Sequence, residues 1–222
     1  GDVYKRQTDR TATFDSLGTS STQTYTYTIQ SGDSTSDLGY TSTSALSVPS
    51  GSRFVDAAGN YAVLTLATPG ASNSLSSNKS IVIDTTSPTI SSVTSYLTSD
   101  GSYTTGDSIN ISVNFSEAVY VVTTGGTPTL ELETGSTDRT ASYLTGSGSS
   151  NLIFSYTVQS GDSSSDLDYS STSALSLNSG TIKDLAGNNA TISLASPGAS
   201  GSLANNQDLV VNTNTPTISS VT

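Results

Sequence analysis

The chain contains no cysteine, histidine, methionine or tryptophan, and only seven of its 222 residues are lysine or arginine. Without Cys there is no thiolate nucleophile, and the fold cannot depend on disulfide formation. Without His, the side chain that most often moves protons near neutral pH is missing. Without Trp, the best platform for stacking on a sugar ring is gone, although 11 Tyr remain. The formal net charge is −11, and the few cations form no stripe that could neutralise a run of phosphates, which argues against nucleic acid. No apolar run approaches the ~20 residues needed to span a bilayer. Serine is abundant, but no Gly-x-Ser-x-Gly elbow or base accompanies it. The acidic residues read as turn residues or as outward positions on strands, not as a facing catalytic pair. These absences argue against an enzyme.

What is present is Thr, Ser, Val, Ile and Tyr, broken by Gly, Asn and Asp. That mixture suits short strands and polar turns, and it suits helices poorly because Ser and Thr compete for backbone hydrogen bonds. Disorder is excluded by pattern: the apolar residues alternate instead of scattering.

The strongest feature is self-similarity over the length of a domain. Thr8-Asp9-Arg10-Thr11-Ala12 recurs as Thr137-Asp138-Arg139-Thr140-Ala141, and Gln30-Ser31-Gly32-Asp33 recurs as Gln159-Ser160-Gly161-Asp162. Ser42 to Ser47 recurs as Ser171 to Ser176, all at an offset of 129. Asp56-Ala57-Ala58-Gly59-Asn60 then matches Asp184-Leu185-Ala186-Gly187-Asn188 at an offset of 128, as Pro88 to Thr94 matches Pro216 to Thr222. One residue has been gained or lost near Ser52 to Val55, where a turn tolerates it.

Ile109, Ile111, Val113 and Phe115 alternate with polar residues, as do Leu152, Phe154, Tyr156 and Val158. About seven short strands are predicted per copy: Pro88–Tyr96, Ser108–Phe115, Thr129–Thr134, Arg139–Leu144, Asn151–Val158, Gly180–Asp184 and Asp208–Asn212. A short hairpin is expected between Tyr169 and Asn178, and a solvated loop from Ser160 to Asp168. The predicted fold class is all-β, as tandem immunoglobulin-like Greek-key β-sandwich repeats. Residues 8–86 read as a repeat without its first strands, 87–214 as a complete sandwich, and 215–222 as the start of a third copy. Residues 1–7 match nothing in the repeat and resemble translated adapter sequence, so they read as a non-native leader.

Asp84-Thr85-Thr86-Ser87-Pro88, Phe115-Ser116-Glu117-Ala118-Val119, Gly32-Asp33 with Asp37-Leu38, and Asp184 to Asn188 together resemble the bacterial Ig-like repeats of giant surface proteins. The most similar type is the repeat of very large adhesins and of a swimming-motility surface protein. The resemblance covers Thr8 to Thr222 and implies secretion or a cell-surface location, many copies in series, and a role as stalk or adhesin.

Strand parity places the loop after the second strand, with Glu117, at the same end as Asp184 and Asn188 and the linker residue Asp84. Asp33 and Asp37 are expected to face that junction from the preceding copy. Hard oxygen donors from several loops are what Ca²⁺ takes, and crowded like charges call for a cation. The competing reading is that Asp-x-Ala-Gly-Asn is simply a good turn, and Asn212 in place of Asp84 in the next linker weighs against an obligatory site. The expected partners are neighbouring repeats of the same chain, with a spacer role favoured over direct binding of a surface or glycan ligand.

Overall fold

A computed structural model describes residues 9–17, 22–48, 53–218 and 220. The leader assigned to residues 1–7 lies outside them, as do parts of the turn near Ser52 and of the C-terminal segment. The chain divides into two compact units, Gly1–Thr86 and Ser87–Thr222. Apart from one four-residue helix in each, the regular secondary structure of both is β-strand.

The second unit carries strands β5 (Ile90–Ser95), β6 (Gly101–Tyr103), β7 (Ser108–Val122), β8 (Thr129–Leu132), β9 (Arg139–Thr145), β10 (Ser149–Thr157), β11 (Ser163–Ser164), β12 (Leu175–Ser176), β13 (Thr181–Lys183) and β14 (Leu209–Asn212), with a one-turn helix α2 (Leu203–Asn206) before the last strand. One curled sheet has the order β12-β8-β9-β10-β7-β13, with β5 also on β7. A smaller sheet runs β11-β14-β6, and its β14–β6 pair is parallel.

The alternation of β7 and β10 explains their central place. Leu152 faces Val113, Phe154 faces Ile111 and Tyr156 faces Ile109 across the antiparallel ladder, and all six are buried. Burying each such side chain contributes about 1.5–3 kcal/mol. Val93, Leu130, Leu132, Leu167, Tyr169, Leu203 and Leu209 complete the same core.

Two local expectations fail. The strand predicted to end at Phe115 continues to Val122, because Val119 and Val121 hold the inward parity and β13 pairs with Tyr120 to Val122. Between them the register moves from Asn114 to Val119 on β7 while β10 moves only from Asn151 to Ser149. That is a bulge, and bulges re-aim side chains. Between Tyr169 and Asn178 there is no hairpin: β12 pairs with β8, and Tyr169 bridges to Leu132.

The first unit carries β1 (Thr13–Leu17), β2 (Gln23–Thr26), β3 (Ser34–Thr35), helix α1 (Leu75–Asn78) and β4 (Ile83–Asp84). β1 pairs with β2 and β3 with β4, both antiparallel. Its contacts repeat those of the matching stretch of the second unit. Leu38 N donates to Ile81 O as Leu167 N does to Leu209 O. Tyr40 Oη donates to Ala67 O as Tyr169 Oη does to Ala195 O. Ser74 caps α1 as Ser202 caps α2.

Candidate functional site

The six residues picked out as cation ligands fall in different local structures. Asp184 follows β13 and opens a self-closed turn. Its Oδ1 accepts from Asn188 N at 2.8 Å and its Oδ2 from Asn188 Nδ2 at 2.7 Å. In the first unit Asp56 makes the same bonds to Asn60, at 2.8 Å each. Those bonds, led by the one from the Asn60 side chain, hold the Asp56 carboxyl below its usual range. The Asp-x-Ala-Gly-Asn motif is thus a turn in which the Asp carboxylate organises the following four residues.

Asp84 ends β4, and its Oδ1 accepts from Thr86 N at 2.8 Å. Asn212 ends β14 and accepts from Asn214 N at 3.0 Å in the same way. The turn needs one side-chain oxygen and no charge, which explains why Asp and Asn alternate here. Glu117, expected in a loop, lies within β7 beside the bulge. In the second unit its carboxylate and that of Asp184 have oxygens within 4.8 Å of each other.

Asp37 is exposed, and its amide donates to Thr35 Oγ1. Asp33 has a different environment. It is buried, and its carboxylate accepts from Tyr27 Oη, from Gln30 N at 2.7 Å and from Arg10 Nε at 2.8 Å. The Tyr27 hydroxyl, then the Gln30 amide, then Arg10 hold its carboxyl at about 2.

The second unit builds the same hub on Asp162, which is 1% exposed. Asp162 Oδ1 accepts from Arg139 Nε at 2.8 Å, and Oδ2 from Tyr156 Oη at 2.6 Å and Gln159 N at 2.8 Å. Burial opposes the charge, but the Tyr156, Arg139 and Gln159 donors outweigh it and keep the carboxyl below its usual range. Burial, then the Asp162 contact, pushes the Tyr156 hydroxyl upward. The turn from Gln159 to Asp162 closes because Gly161 adopts φ +93°, the region a type II turn requires at this place.

Each hub also holds the segment that leaves its unit. Thr213 Oγ1 donates to Asp162 O at 2.9 Å and accepts from Gly161 N at 3.0 Å. Thr85 Oγ1 does the same with Asp33 O and Gly32 N, at 3.0 Å each. Sequence reasoning missed this arrangement and read Ser160 to Asp168 as a solvated loop. In the structure Asp162, Leu167 and Asp168 are buried, and Ser163–Ser164 pairs with β14. The missed signal was the pairing of Arg10 with Asp33 and of Arg139 with Asp162 at the same separation, in a chain with so few cations.

Among the described residues, no helix is long and apolar enough to cross a membrane. No protein-family model, curated protein or solved structure matches the chain.

Proposed function

We propose that the chain is part of a tandem array of immunoglobulin-like Greek-key sandwich repeats, and that the array is the spacer of a large secreted or cell-surface bacterial adhesin-like protein. The observation that carries this reading is the duplicated hub. Arg10, Tyr27, Asp33 and Thr85 make the same bonds as Arg139, Tyr156, Asp162 and Thr213, about one domain length apart. In both copies the outgoing segment is tied by its Thr to the backbone of the turn that carries the buried aspartate. In a tandem array under tension load enters and leaves through these segments, so such ties suit a spacer.

The order β8-β9-β10-β7 supports the Greek-key assignment, since an earlier strand returns beside the last of three consecutive antiparallel strands. The buried polar interior also supports a structural role: the best-organised charged groups bond to one another and present no reactive atom to solvent. The partners of each repeat are then its neighbours in the same chain.

Calcium is the cation proposed for Glu117 and Asp184, whose hard oxygens approach within 4.8 Å. Backbone carbonyls and water would supply the rest of a six- to eight-oxygen shell. Two measurements on the whole chain test these statements. A glycan array is expected to show no reproducible binding, and a saturable hit would replace the spacer with an adhesive module. Addition of EDTA is expected to lower the melting temperature of the second unit, and an unchanged melting curve would remove the cation.

A further inference from the structure

β14 is the last strand of the second unit, and its two neighbours hold it differently. β6 runs parallel to it, with Leu209 opposite Gly101, Val210 opposite Ser102 and Val211 opposite Tyr103. β11 runs antiparallel to it, with Ser164 opposite Val211 and Ser163 opposite Asn212. Just before the paired residues, Gly101 N donates to Asp208 O and Asp208 N to Asp100 Oδ1, at 3.0 Å each. The second of these bonds joins residues 108 apart in sequence. Nearly all of the unit therefore lies between the two strands along the chain, and none of that stretch can lengthen until β6 and β14 part.

The parallel arrangement decides how they part. Load that reaches β6 along the chain acts at Gly101, its first residue. Load that leaves through Thr213 acts at Asn212, the last residue of β14. In a parallel pair these points lie at opposite ends, so the strands are drawn lengthwise past each other and the bonds of the ladder are strained together. In an antiparallel pair the same two points would share one end, and the bonds would break one after another. Sliding also uncovers apolar surface, because Leu209 and Val211 are buried and Tyr103 packs on the same core. The Thr213 tie to Asp162 O adds to the hold on the β11 side.

We propose that the parallel β6–β14 ladder is the mechanical lock of the repeat, and that parting these two strands sets the force at which the unit opens. The direction of the load rests on the spacer reading, whereas the lock itself rests on the strand pairing.

Single-molecule stretching of the whole chain through introduced cysteine pairs tests this, since the chain has no cysteine of its own. Ser87, Ser99, Asn205 and Asn214 are all exposed and serve as attachment points. Ser99→Cys with Asn214→Cys loads the ladder lengthwise, and Ser99→Cys with Asn205→Cys pulls the two strands apart from their shared first end. The lengthwise pair should open at several times the force of the other. Ser87→Cys with Asn214→Cys brings the load in ahead of β5 and should open at the same force as the lengthwise pair. Equal forces for the first two pairs would overturn the proposal. So would a clearly higher force from Ser87, which would place the lock between β5 and β7. A glycan-array hit would remove the spacer and leave this comparison of forces standing.

Discussion

Replacing Asp162 by Ala leaves three donors without their acceptor. Tyr156 is buried with its hydroxyl 2.6 Å from the carboxylate, and a stranded buried donor costs about 1–3 kcal/mol. The Arg139 side chain is 26% exposed, so its guanidinium partly rehydrates, and losing the charge-assisted bond adds about 1–2 kcal/mol. Gln159 is exposed, so water takes over its amide at little cost. The total expected is about 2–5 kcal/mol, a large share of the ~5–15 kcal/mol that holds a domain together. Asp162→Asn should cost less, about 2 kcal/mol, because one amide oxygen can still serve Tyr156 and Gln159 while its NH₂ faces Arg139. Tyr156→Phe should cost least, about 1–1.5 kcal/mol. Urea unfolding of the second unit, followed by circular dichroism, gives the order Ala above Asn above Phe with unchanged m-values. A loss below about 1 kcal/mol for Asp162→Ala, or equal losses for Ala and Asn, would refute the hub as a stabilising element.

Asp33 has a folded-state pKa of about 2 against an ordinary 3.8. Its contribution to stability is therefore complete above about pH 4 and is lost as pH falls through about 2. Carboxyl carbon NMR should place its midpoint near 2 and show it rising in Arg10→Gln; a midpoint at the ordinary value would contradict the hub in the first unit. Gly126→Ala should lose about 3 kcal/mol or more, because a Cβ there would stand 1.7 Å from Asn178 O. Gly161→Ala should lose only about 1 kcal/mol, since it meets nothing within 4 Å and suffers only from φ +93°; thermal denaturation of the pair would show the reverse order if the Gly126 approach is not tight. Asp84→Asn should shift the melting temperature by less than about 2 °C, since Asn212 already makes the same turn. A large shift in calcium alone would assign Asp84 an ionic role.

The strands that fill the core were legible because alternation reports burial directly. Ile109, Ile111 and Val113, like Leu152 and Phe154, are fully covered, and no turn chemistry was needed to find them. The end of β7 was not legible, because Ser116, Glu117 and Ala118 interrupt the apolar pattern where the bulge lies. Periodicity cannot see a strand through its own bulge. The acidic turns were readable as turns, since Asp-x-Ala-Gly-Asn carries its bonding partner four residues on. The hub was harder: its bonds join residues 23 apart, and a buried Asp in a Ser-rich stretch has no local signature. Only comparison of Arg10–Asp33 with Arg139–Asp162 across the repeat could reveal it.

Stretching single molecules of the whole chain between its ends tests the proposed spacer role most directly. Residues 87–214 should open in one sharp event that lengthens the chain by about 400 Å, and Asp162→Ala should lower the force at which it occurs. A gradual extension without a step, or a step whose force is indifferent to Asp162, would contradict a spacer clamped at its buried aspartates.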